Sequence, residues 1–421
     1  MTVSSEGDTG QLSVPRLMAV VFLPFATGYF FSYLYRTVNA VIGPDLAVEV
    51  GLTAGQLGML SSAYFITFAA AQIPIGVFLD SHGPRRVETV LLVIAALGAL
   101  LFAIGDTLWG LVLGRALIGL GVAACLMGSF KAMSEWFPMD RLPLMNGLVV
   151  AFGGLGAMVA TAPTEALVAE IGWRYGFVAL SIATALAALA IWFIVPERAR
   201  AGSSEPLSVR IGGLKGVFNS RAFWRIAPLA AFSQGSFLAI QTLWAGPWLR
   251  DVAGLDSRTV SFVLLAGAAG FVAGNLAAGL AAERLARRGI PPIIVAGVGM
   301  AAFMVVQVLV LLEWTQFPVL LWFAFGAMGT TGVLAFSVLA RTFSAGLAGR
   351  ANTAQNLMIF AMAFALQWGM GEVINIWPVD ASGGYAQIGY QAAFGFALAL
   401  QAIAFVWLVL GRERTDSGDT T

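Results

Sequence analysis

The chain has 421 residues, 59% of them hydrophobic and 11% charged, with a net charge of +1 and a mean hydropathy of +0.85. So few charges cannot clothe a water-soluble globule of this length, whereas lipid solvates an apolar exterior directly. The near-zero net charge gives no electrostatic footprint for nucleic acid, and the single cysteine, Cys125, excludes an intramolecular disulfide framework.

A helix needs roughly 20 mostly apolar residues to cross a bilayer core about 30 Å thick. Segments of about that length fall at 17–43, 53–79, 87–105, 109–133, 143–165 and 174–196, then at 224–249, 259–282, 291–312, 317–340, 352–376 and 387–410. The expected fold is an all-α membrane protein of twelve transmembrane helices in two six-helix bundles. Residues 1–16 form an N-terminal tail, 17–196 the first bundle, 197–223 a linker, 224–410 the second bundle and 411–421 a C-terminal tail. The first apolar run follows a polar start and is long enough to span, so it is read as a retained helix and not as a cleaved leader.

Of the 23 Lys and Arg residues, 18 fall on the side of the N-terminus, three (Arg174, Arg250, Arg258) on the other, and two (Arg36, Arg115) within spans. The positive-inside rule then places both termini and the linker in the cytoplasm, with the chain multi-pass in the inner (plasma) membrane.

The two halves repeat. A shift of 203 residues lays Pro44-Asp45-Leu46 on Pro247-Trp248-Leu249, Gly51-Leu52 on Gly254-Leu255, Gly76 on Gly279, Asp80 on Glu283 and Arg85 on Arg288. Two like-oriented units imply a pseudo-twofold axis along the membrane normal and a central site between them.

Between the second and third spans stands Gly76-Val77-Phe78-Leu79-Asp80-Ser81-His82-Gly83-Pro84-Arg85-Arg86, with a degenerate copy from Gly279 to Arg288, and Arg115-Ala116-Leu117-Ile118-Gly119-Leu120-Gly121 lies in the fourth. These motifs resemble those of the major facilitator superfamily over residues 17 to 410. The resemblance implies a secondary transporter working by alternating access, with Gly76, Asp80, Gly83, Arg85 and Arg86, and their counterparts Glu283 and Arg288, in a cytoplasmic gate. In it Asp80 is expected to pair with Arg85 or an arginine across the interface. The same charges also serve as topology markers under the positive-inside rule. His82 is read as a solvated loop residue.

Charges inside spans are costly and mark function or a wet cavity. Those deepest here are Arg36, Arg115 and Lys131, all basic, and the sequence places no carboxylate at midplane. A cavity with only positive deep charges favours an anion. The stretch Tyr33-Leu34-Tyr35-Arg36-Thr37-Val38-Asn39 looks like the first helix of the organophosphate and anion transporters of the superfamily, and Lys131-Ala132-Met133-Ser134-Glu135-Trp136-Phe137 is similar to that group as well. The resemblance implies that Arg36 anchors substrate, and Lys131 stands where that group has a basic residue; an Arg fork grips carboxylate or phosphate bidentately. The position matching Arg36 in the second half is Ala239, so a single arginine suits a carboxylate better than a phosphate. Arg36 alternatively lies 20 residues beyond Arg16, far enough to snorkel at the outer boundary. Lys131 can snorkel at the inner one, and Arg115 reads equally as structural or as part of coupling.

Gln234, Gln241 and Trp244 on the seventh span are candidate cavity residues, the two glutamines seven apart on one helix face. Substrate binding is thus assigned to Arg36, Lys131, Gln234, Gln241 and Trp244. Glu165 and Glu372, toward outer helix ends, are the acids a proton-coupled exporter of drug-like compounds or metabolites would need. A transporter-like sensor without turnover is the alternative from another class. No metal-ligand set, catalytic cluster or nucleotide-binding loop occurs, so no enzyme activity, metal or cofactor is expected. The expected partners are a small-molecule substrate, a coupling ion such as a proton, and the bilayer, with the chain monomeric.

Overall fold

The computed structural model describes residues 13–197, 207–379 and 383–410. Most of both terminal tails and the Arg198–Pro206 part of the linker lie outside the described residues. Twelve membrane helices follow in chain order among those described: α1 (14–50), α2 (54–82), α3 (84–104), α4 (Leu108–Trp136), α5 (142–171) and α6 (173–194). The second bundle holds α7 (Arg221–Asp251), α8 (Ser257–Arg287), α9 (Pro292–Leu311), α10 (Pro318–Thr342), α11 (Ala345–Ile374) and α12 (Gln387–Leu410). The linker is not irregular throughout: Leu207–Phe218 is helical.

Helices α2 and α3 run together as one stretch of 51 residues, which would measure about 75 Å if straight, far beyond a bilayer. Gly83 breaks it, at φ 75° and ψ 161°, a conformation only glycine adopts without strain. Gly172 does the same between α5 and α6, at φ 78° and ψ 157°. Because the turn is so tight, α3 begins at Pro84, a few residues earlier than its hydropathy suggests, and Glu88 is drawn inside the bundle.

The internal repeat is visible in backbone detail. Gly51 and Gly254, 203 residues apart, both take a left-handed conformation, at φ 72° and 66°. Each is followed by a capped helix. Thr53 closes a capping box with Gln56 at the start of α2, and Asp256 accepts from the Thr259 amide at 3.0 Å at the start of α8. The crossing of α1 with α7 obeys the same register. Gly43 faces Leu243, and Gly246 packs on the Ala40 carbonyl; the shift of 203 exchanges these two pairs. Such reciprocity is what a twofold axis produces.

The halves meet where α1 packs on α7, α2 on α11 and α5 on α8. Glycines carry much of this seam, as expected where backbones must approach closely in lipid. Gly55 lies under the Glu372 carboxylate, Gly58 against the Gln367 carbonyl and Gly371 on Ala54. These contacts lie toward the face opposite the basic loops.

Candidate functional site

Residues Tyr29, Tyr33 and Arg36 follow one another at helical spacing along α1 and share a face. Arg36 is only 6% exposed. Its guanidinium carbon lies 4.4 Å from the Tyr33 ring centroid, 5.9 Å from Tyr64, 5.2 Å from Phe68 and 5.2 Å from Phe360. Three of these rings belong to the first half, and Phe360 comes from α11 in the second. Among the described residues no carboxylate forms an ion pair with Arg36, and its Nε has no hydrogen-bond partner. Snorkelling is therefore not what Arg36 does: α1 continues to residue 50, and the guanidinium stays inside an aromatic cage. The faces of the rings attract a cation at about 0.5–2 kcal/mol each in dry surroundings. They leave its Nε without a hydrogen-bond partner.

Other unpaired polar atoms extend from this point. Ser32 Oγ and Asn39 Oδ1 flank Arg36 at helical spacing on α1, and Gln241 Oε1 on α7 is also unpaired. Phe271 on α8 bridges toward Gln241: its ring centroid is 5.4 Å from Tyr33, and Gly267, one turn earlier, faces the Gln241 amide. The other two candidates on α7 are committed elsewhere. Gln234 Nε2 donates to the Gly329 carbonyl at 3.1 Å, and Trp244 Nε1 donates to the Gln367 carbonyl at 3.0 Å. Both tie α7 to its neighbours.

Arg115 sits on the far side of Tyr64, 5.3 Å from that ring. It is 1% exposed and donates to the Tyr35 carbonyl at 2.9 Å. It thereby fastens α4 to α1 just where Arg36 leaves the helix, which is a positioning role.

Lys131 Nζ donates to Asp80 Oδ1 at 2.6 Å, at the end of the bundle that carries the basic loops. This pair ties α2 to α4. Arg85 instead donates to the Trp192 carbonyl through Nε at 3.1 Å and Nη2 at 2.5 Å, and reaches Glu197 at 3.6 Å. Arg86 also pairs with Glu197. A cavity of about 370 Å³ opens among these side chains, with Phe25 and Leu79 on its wall. Gly76 is half-buried one turn before Asp80, and His82 is exposed, its Nδ1 2.8 Å from Ser81 Oγ. The copy in the second half lacks this reach: Glu283 bonds Arg287 within α8 at 2.5 Å, both exposed, and Arg288 caps that helix.

Glu165 is half-buried on α5. Glu372 accepts from Trp368 Nε1 at 2.9 Å on the seam with α2. A carboxylate the sequence does not single out is Glu88, fully buried, with no donor stronger than the Cys125 thiol at its oxygens. Its nearness to the expected start of the third span concealed it.

The sequence profile described as Major Facilitator Superfamily matches residues 25–367. The chain belongs to the Major Facilitator Superfamily. Among relatives of this superfamily it is 26% identical over 274 residues to the probable sulfoacetate transporter SauU of Cupriavidus necator, covering 62% of this chain and 64% of the relative. It is 23% identical over 304 residues to the probable L-galactonate transporter of Escherichia coli, covering 66% and 65%. These matches thus span a little under two thirds of either relative. Among solved superfamily structures, a bacterial homolog of the human lysosomal transporter Spinster, inward-facing and occupied, aligns with a TM-score of 0.78 at 17% identity, over 95% of this chain and 97% of that one. That likeness shows the fold.

Proposed function

We propose that the chain is a secondary transporter that carries a small organic anion across the plasma membrane by alternating access, with Arg36 as the anchor. The observation that carries this reading is a desolvated guanidinium in an aromatic cage at the seam of the two halves, with no acid paired to it among the described residues. A buried charge without a counter-charge costs several kcal/mol, and a carboxylate or sulfonate docking on the unpartnered Nε side of the guanidinium recovers that cost through charge-assisted hydrogen bonds. Relatives named for sulfoacetate, L-galactonate and hexuronate fit an acid of this kind. A single arginine favours a monoanionic headgroup.

The contacts of Gly43, Gly246, Gly55 and Gly371 seal the face opposite the basic loops, so with the termini in the cytoplasm the arrangement is one closed to the outside. Rocking the halves about the α1–α7 and α2–α11 seams would open that face. Asp80 and Lys131 act in the cytoplasmic gate, and Gln241 completes the cavity beside Arg36. The test is counterflow in proteoliposomes loaded with sulfoacetate, galactonate or glucuronate. Exchange of any one of them that Arg36→Gln abolishes supports a transporter; binding without exchange makes the protein a sensor.

A further inference from the structure

Glu88 lies on α3, one turn beyond Pro84, and is completely buried. A methyl group at Gly28 on α1 or at Gly128 on α4 would collide with its carboxyl oxygens, Oε1 and Oε2 respectively. The carboxyl group therefore occupies a slot that exists only because two different helices carry glycine at the points facing it. Leu92 on its own helix and Leu79 on α2 close the remaining sides. The one titratable side chain against it is the Cys125 thiol on α4, a weak donor, and no stronger donor reaches either oxygen.

The other titratable groups on the packed helices are engaged elsewhere. Lys131 on α4 pairs with Asp80 on α2, Arg36 on α1 sits in its ring cage, and the Tyr29 ring packs on Tyr33. An ionised carboxylate in this slot would lack a counter-charge and a strong donor, at a cost of several kcal/mol. The neutral acid fits.

We infer that Glu88 is a proton-binding site, protonated in the arrangement seen here, and that its ionisation, by parting the first bundle at its basic-face end, separates the two halves there. The route is short. The 370 Å³ cavity holding Asp80 and Lys131 has Phe25 and Leu79 on its wall. Phe25 is one turn from Gly28 on α1, and Leu79 lies within 3.7 Å of a side-chain position at Gly128. These two residues are the floor between cavity water and the slot. When the floor parts, Glu88 releases its proton to water in the cavity and the resulting carboxylate is hydrated; when it closes, the carboxylate must take a proton back. Ionisation and opening are then linked, since a proton bound in only one state shifts the equilibrium between states. This site is distinct from Arg36 and does not depend on the substrate proposed above.

The experiment needs no substrate. Spin labels at Met139→Cys, on the basic-face loop after α4, and Ala286→Cys, near the end of α8, report the separation of the two halves at that end by pulsed electron resonance in lipid nanodiscs. Both positions are exposed, and buried Cys125 stays unlabelled. In the otherwise native protein the ratio of open to closed distances should rise with pH, approaching about tenfold per pH unit for one linked proton. Glu88→Gln should show the closed, low-pH distribution at every pH. A Glu88→Gln profile that follows the native one, or a native profile flat from acidic to alkaline pH, overturns the inference. Should Glu88→Gln not fold, Glu88→Asp retains the acid at a shorter reach, and its infrared carboxylic C=O band should titrate with a midpoint moved from the native one. An unmoved midpoint overturns the assignment equally.

Discussion

The guanidinium carbon of Arg36 lies 5.2 Å from the ring centroid of Phe360, so a buried cation of the first half is capped by an aromatic face of the second. Any motion that separates α2 from α11 uncovers that cation. Exposure of Arg36 and the relative position of the halves are thereby the same variable.

Replacing the cap tests its electronic part. Phe360→Leu keeps most of the volume and removes the ring, so it should lower stability by about 1 kcal/mol, the scale of a desolvated cation–π contact. Phe360→Tyr, which retains the face, should unfold with the native protein in equilibrium denaturation. Equal loss in both variants would mean that shape and not the ring matters.

Lys131 and Arg36 should separate cleanly in binding. Lys131→Met removes a charge paired with Asp80 at 2.6 Å, away from the cage, and is expected to change anion affinity by less than about threefold. A double-mutant cycle with Asp80→Asn should return a coupling of about 1 kcal/mol or less, because both side chains are partly exposed and solvent screens them. Affinity lost with Lys131→Met as fully as with Arg36→Gln would return Lys131 to the substrate site.

The two glycines of the α1–α7 crossing should differ in tolerance. A methyl group at Gly246 would run into the Ala40 carbonyl, which is backbone and cannot turn aside. Gly246→Ala is expected to cost about 1–3 kcal/mol, as overpacking does, and to loosen the closed outer face. A methyl group at Gly43 would meet the end of the Leu243 side chain at 3.2 Å, which can give. Gly43→Ala should unfold close to the native protein.

Acid lability has one defined contributor outside the membrane. The Thr259 amide and hydroxyl, bonding the Asp256 carboxylate, hold its pKa below the usual aspartate value. Such a group stabilises the fold above its unfolded pKa, and the gain is lost as pH falls through the folded one. Asp256→Asn keeps a helix cap but cannot titrate, so its melting temperature should fall less steeply on the acid side. Parallel acid profiles would contradict this.

The twelve helices, the linker boundary and the 203-residue repeat are legible in the sequence because hydropathy and glycine spacing are local quantities. Arg36 stood out for the same reason, as a charge in an apolar run. Its cage did not: Tyr64 and Phe68 on α2 and Phe360 on α11 look like ordinary span aromatics until packing brings them together. The partner of Lys131 was not legible either, because Asp80 is 51 residues away in sequence and meets it only through the packing of α2 on α4. Glu88 was missed because a hydropathy window blurs the start of α3, whereas the left-handed Gly83 sets that start sharply.

Titration of the purified protein with sulfoacetate, galactonate and glucuronate, followed by thermal unfolding of native protein and Arg36→Gln, tests the anchor most directly. A ligand of the folded state raises its melting temperature in a concentration-dependent way. At least one of these anions should stabilise the native protein, with affinity falling at least about 30-fold in Arg36→Gln, the least expected when one partner of a buried charge pair is removed. Equal stabilisation of both proteins by the anion, or a shift produced by the lipophilic cation tetraphenylphosphonium alone, would contradict Arg36 as the anchor.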